Sequence, residues 1–219
     1  MINRVPPLRH RVVAGVFNAM SWVANGYTAP FTSELIRSFG VRGMAERTAE
    51  IIELAALIEV ELGERDGHML LGFASLWNGC SVCALGHVYA GNLAHFRDRK
   101  TLHPLDEREL SRRMRHNTDG ELLAYVERCL SAPDDARLLG LIRRLYVIKR
   151  EGKDEQVDER PGDSEMLAAA ISAYDWMNLC TIYGEGDDPP MIAFSSLNRA
   201  YRLRSRYARA RAATPLDLE

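Results

Sequence analysis

Apolar residues in this chain recur mostly at helical spacing, and the strict alternation of a half-buried strand is missing. An apolar run from Val12 to Ala24 follows Arg9, His10 and Arg11. It is interrupted by Gly15, Asn18 and Ser21 and is too short to span a bilayer, so it predicts an N-terminal packing helix. An uncleaved anchor on a membrane surface is the alternative. From Ala45 to Leu62, apolar residues at 51, 52, 54, 55, 57, 58 and 62 form a wide stripe, with Gly63 as the stop. Asp66 to Leu76 is apolar nearly all round and therefore reads as a buried helix. Asn78 and Gly79 break it, and Asn78 is placed to cap a third helix ending near Phe96.

The second half continues in the same style. Pro104 and Asp106 open a charged helix through Arg115. Thr118 and Glu121 have capping-box spacing and start a helix towards Leu130. Another helix is predicted from Asp134 to Lys149. The polar stretch "EGKDEQVDERPGD" at 151–163 reads as an exposed loop. Ser164 then caps a helix to about Tyr183, "GEGDDPP" breaks it, and a last helix runs from Pro190 to Ala212. The expected architecture is all-α, with residues 1–42 as an N-terminal helical extension and 43–219 as one domain.

Composition narrows the function without naming it. The balance of 47% hydrophobic and 26% charged residues is that of a soluble globular protein, and a net charge of -2 points to no nucleic acid. Four cysteines, at 80, 83, 129 and 180, are too few and too uneven for a secreted disulfide scaffold. A reducing, cytoplasmic setting is expected. Cys129 and Cys180 sit among apolar neighbours and read as core thiols.

The stretch "SLWNGCSVCALGHVYAGN" carries the candidate chemistry. On one helix, Cys80, Cys83 and His87 share a face, being three and four residues apart. Cys80 falls in the first turn, where free N–H groups favour a thiolate. His87 can accept or return a proton. A redox dithiol, a metal clip and inert buried thiols all fit this spacing.

"NGCSVCALGH", with the buried helix "HMLLGFASLWNGC" before it, resembles the C-x-x-C-x-x-x-H signature of alkylhydroperoxidase AhpD and the carboxymuconolactone decarboxylase superfamily. The likeness is firm from about Ala45 to Phe96, and "ISAYDWMNLCTIYGEG" would suit a later helix of that fold. It implies an AhpD-like all-α homo-oligomer, a peroxidase that needs no organic cofactor. Cys83 would attack the hydroperoxide, Cys80 would resolve it, and His87 would relay protons. An external dithiol protein would then reduce the Cys80–Cys83 disulfide.

Two positions depart from that pattern. The family's relay glutamate sits twelve positions before the first cysteine, where this chain has His68, and Val82 stands where some members have histidine. His68 could serve as the base, with Glu64 one turn earlier to orient it. Cys80, Cys83, His87 and His68 would equally suit a tetrahedral metal. The remaining alternatives are a non-catalytic ligand-binding relative, and a decarboxylase or isomerase acting on a small metabolite.

Trp77, Tyr89 and Trp176 are expected to pack rather than line a pocket. The C-terminal arginines 199, 202, 204, 206, 209 and 211, with no acid among them, predict a solvated face or an oligomer contact with the 151–163 loop. Nucleic acid or an anionic membrane is the alternative. His95, His103 and His116 lack ligand spacing and read as surface residues.

Overall fold

A glycine with positive φ, Gly63, folds the longest helical stretch back on itself. A computed structural model describes residues 8–28, 32–152, 160–178 and 192–214. The helices are α1 (Leu8–Asn25), α2 (Thr32–Trp77), α3 (Ser81–Arg99), α4 (Glu107–His116), α5 (Asp119–Cys129), α6 (Ala136–Glu151), α7 (Asp163–Asn178) and α8 (Tyr201–Ala212). No strand occurs among the described residues, so the all-α expectation holds. Within α2, Gly40 (φ 69°) and Gly63 (φ 81°) leave the helical region, and the helix resumes at once after each. Gly63 therefore ends one helical segment, as expected, and the next segment starts directly after it within α2.

The last segment of α2 and most of α3 are buried on nearly every side. They form a central pair that the other helices surround. Their axes approach closely because Gly72 has no side chain: a Cβ there would lie 3.0 Å from Val88 Cγ2 and 3.2 Å from the Ala84 carbonyl. Trp77 packs edge-on against Tyr146, and Tyr89 packs at a tilt against Tyr207, so both aromatics are structural as expected. The side chain of Trp176 and the whole of Cys180 lie outside the described residues. Cys129 is a half-buried free thiol.

Residues from the N-terminal stretch join the same core, through Ala14, Leu35 and Ile36. The capping predictions for the middle of the chain are met. Asp106 accepts from the Arg108 N–H, and Thr118 with Glu121 forms a complete capping box.

Several local expectations are corrected. Asn78 caps no helix; its Nδ2 donates to the Ile171 carbonyl at 3.2 Å, and Cys80 takes the N-cap position of α3. Helix α7 starts at Asp163, one residue before Ser164. The C-terminal helix begins at Tyr201 rather than Pro190. Residues before it form a strap, where Phe194 N–H donates to the Gly86 carbonyl and Ser195 caps a 3-10 turn at Ser196–Arg199. "GEGDDPP", residues 153–159 of the predicted loop and the end of the predicted 164–183 helix lie outside the described residues.

His103 and Arg211 are buried, not at the surface. Glu107 Oε2 accepts from Asn92 Nδ2 and from the Tyr207 hydroxyl, each at 2.6 Å. Arg211 donates to the Tyr207 oxygen at 2.7 Å and to the His103 carbonyl at 2.8 Å. This buried set ties α8 to α3 and α4. His95 is partly buried, and only His116 is fully exposed.

The reversal at Gly63 gives a direct test. No atom lies within 4 Å of a Cβ built on Gly63, so Gly63→Ala meets no clash and only strains φ. It should cost about 1–3 kcal/mol, read as a lower urea midpoint at unchanged slope. Gly15→Ala, also in open space but inside regular helix, should instead stabilise by about 0.5–1 kcal/mol.

Candidate functional site

Cys80 and Cys83 are joined by a disulfide across the first turn of α3, with Cα atoms 5.4 Å apart. The turn is prepared by the chain before it. Gly79 has φ 85°, and the Cys80 N–H donates to the Ser75 carbonyl at 3.0 Å. Cys80 is the N-cap and Cys83 the third helical residue, so in the reduced state both sulfurs would sit at the positive end of the helix dipole. Both residues are fully buried in the main core.

His87 follows Cys83 by one turn of α3. Its Nδ1 lies 3.1 Å from Nδ1 of His68, and its Nε2 lies 2.6 Å from the Tyr174 hydroxyl on α7. The structure thus brings together His68 from α2 and His87 from α3. Glu64 does not orient His68 as expected. Its carboxylate accepts from Arg97 Nη1 at 2.6 Å. Glu59 takes that place. Its Oε1 is 3.4 Å from His68 Nε2, a nitrogen that has no hydrogen bond of its own. The hinge at Gly63 causes this: it folds residues 59 and 67 together, and a Cβ on Gly67 would lie 3.3 Å from the Glu59 backbone.

Burial holds both imidazoles neutral. It lowers the His68 pKa to about 4, with the charge of Glu64 opposing the shift. His87 is pushed well below its ordinary value of 6.5 by burial and then by His68 beside it. Burial, with Glu64 second, raises the Glu59 carboxyl. With Glu59 ionised, one order of protons serves the whole row. Tyr174 O–H donates to His87 Nε2, His87 Nδ1–H donates to His68 Nδ1, and His68 Nε2–H faces Glu59. The row runs from the core to a carboxylate whose side chain is 38% exposed.

A roof covers the second face of His87. The Phe194 ring meets it edge-on at 5.5 Å and stacks on Tyr27 at 5.2 Å. Gly86 makes room for Phe194, since a Cβ there would be 2.8 Å from the ring. Sequence reasoning missed Glu59, Tyr174 and Phe194. Tyr174 lies within the quoted "ISAYDWMNLC" stretch, but no motif marks the other two.

The four residues considered as metal ligands do not converge on a metal position. Two are tied in the disulfide, and the two histidines turn Nδ1 towards each other. Among the described residues, no group of three or more His, Cys, Asp or Glu is arranged to hold a metal ion. No helix among them is long and apolar enough to cross a membrane. No family model, curated protein or solved structure matches the chain.

The buried imidazoles make stability depend on pH. The unfolded chain protonates them near pH 6.5, whereas the folded chain takes up the His68 proton only near pH 4. Below pH 6.5 the unfolded state binds more protons. Stability is therefore full above pH 6.5 and falls as pH drops towards 4, by up to about 3 kcal/mol from His68. Urea titrations across that range should show the fall, and His68→Gln should make it shallower.

Proposed function

We propose that this chain is a thiol-dependent oxidoreductase that reduces hydroperoxides, as its resemblance to the AhpD-like alkylhydroperoxidases implies. One observation carries the reading. A bondable cysteine pair at a helix N-terminus lies one turn from a neutral histidine, which is hydrogen-bonded to a second histidine. Inert core thiols have no use for that row of buried imidazoles, which costs stability as pH falls.

In the proposed cycle, the reduced Cys83 thiol gives its proton to the Tyr174–His87–His68 row, which passes it towards Glu59, and the thiolate attacks the distal peroxide oxygen. The O–O bond breaks, Cys83 becomes a sulfenic acid, and the alkoxide regains the proton as an alcohol. Cys80 then attacks the Cys83 sulfur. Hydroxide leaves and takes the Cys80 proton as water, and the disulfide forms. An external dithiol protein returns two electrons and two protons. His68 fills the place of the family's glutamate, and Glu59 supplies the missing carboxylate from a different turn. Its partial exposure lets the relay exchange protons with solvent. The chain's own residues supply every proton transfer, so the proposal needs no organic cofactor.

The test uses fully reduced protein and one equivalent of tert-butyl hydroperoxide. Mass spectrometry should show loss of two hydrogens and a Cys80–Cys83 cross-link, with one alcohol formed per protein. Cys83→Ser should abolish peroxide consumption, whereas Cys80→Ser should trap the Cys83 sulfenic acid. Free thiols that survive the peroxide would overturn the reading. Glu59→Gln, at a partly exposed position, should slow disulfide formation by roughly tenfold to a hundredfold.

A further inference from the structure

Helix α1 is packed on one side only. Ala14 enters the core, Phe17 packs against it, and Asn18 Oδ1 accepts from the Thr32 hydroxyl at 3.0 Å. The helix is therefore fixed in place. On its outer side, Leu8, Val12, Val16, Met20 and Val23 recur every three or four residues. With Trp22, these side chains are 54% to 74% exposed. The remaining fully exposed residues from Val12 to Ala24 are Gly15, Ala19 and Ala24, so this side carries no charged or polar side chain over about 18 Å. Such a continuous bare face is not a scatter of single exposed apolar residues.

The face is flanked by cations. Arg9 and Arg11 are exposed at its start. At its other end Trp22 and Val23 share a cavity of about 360 Å³ with Arg199, Tyr201 and Arg204, and Tyr201 is 78% exposed. Arg202 and Arg206 continue along α8, one turn apart and exposed, with no carboxylate partner among the described residues. No Asp or Glu occurs in residues 8–28 or 192–214, although the whole chain has a net charge of -2. The segments that carry and adjoin the bare face are thus basic, with no acid of their own.

The geometry points to a peripheral docking surface for an anionic lipid bilayer, formed by the outer side of α1 and the arginines of α8. The chemistry matches on each count. The apolar stripe would sit at the headgroup–acyl boundary, with the helix lying in the plane of the surface. Trp22 and Tyr201 are the aromatic types that favour that boundary. Arg9, Arg11, Arg202 and Arg206 would meet anionic headgroups, each charge adding to the attraction. A second copy of the chain suits the face less well, because a symmetric pairing would bring like-charged arginines together. This inference is independent of the cysteine chemistry.

The experiment uses the full chain and two kinds of vesicle, phosphatidylcholine alone and phosphatidylcholine with an equal share of phosphatidylglycerol. The protein should sediment with the anionic vesicles and not with the neutral ones, and added salt should weaken binding. Tryptophan emission should shift to the blue on binding, and Trp22→Phe should remove the shift. Arg202→Glu with Arg206→Glu should weaken binding by more than about tenfold. Met20→Asp, an exposed substitution, should weaken it while leaving the helical content unchanged. Equal binding to both vesicles, or none to the anionic ones, would overturn the proposal. So would a vesicle-independent dimer that Met20→Asp splits, which would assign the face to a second copy.

Discussion

A contact between two uncharged imidazoles, 3.1 Å apart at the crossing of α2 and α3, sets the terms for the rest of the core. Both rings are buried, so a proton added to either would place a cation beside its neighbour with little water to screen it. The pair stays neutral and must be satisfied by donors and acceptors alone. Tyr174 closes one end at 2.6 Å, and Glu59 stands at the other. α3, α7 and the two segments of α2 that meet at Gly63 are thereby held to one centre.

That centre accounts for features that otherwise look unrelated. The reversal at Gly63 returns Glu59 to His68, and leaves Glu64 free to pair with Arg97. The absence of a side chain at Gly72 lets the helices carrying the histidines approach. The Phe194 strap closes over His87 at Gly86 and shields the ring from solvent. The cysteines sit where α3 begins, so helix start, disulfide and histidine pair form one local unit. On this arrangement rests the proposal of a thiol peroxidase.

Much of the fold was legible because its signals are local. The capping box at Thr118 and Glu121, the Asp106 cap and the buried stretch at 66–76 depend on neighbours within a turn or two. The misplacements have long-range causes. Arg211 reads as a surface arginine until Tyr207, one turn before it, and Glu107, on the distant α4, supply its partners. His103 lacks any ligand spacing, yet it is buried, and its carbonyl accepts from Arg211. Asn78 reads as a cap by position, but a carbonyl of α7 takes its side chain.

The amino-acid order alone determined that the chain is helical and that Cys80, Cys83 and His87 share one short helical face, because helical periodicity places residues three and four apart together. It also showed that position 68 holds a histidine and that arginines gather without acids near the C-terminus. Only the tertiary structure decided what His68 touches. Its partners lie nine residues before it, nineteen after it and, through His87, on α7. The first of these needs a backbone reversal at Gly63, where sequence spacing marks the end of a helix but not the direction of the next one. Likewise the apolar run at 12–24 fitted either a packed helix or a surface anchor. Packing decided which side of α1 is satisfied by the core and which is left bare.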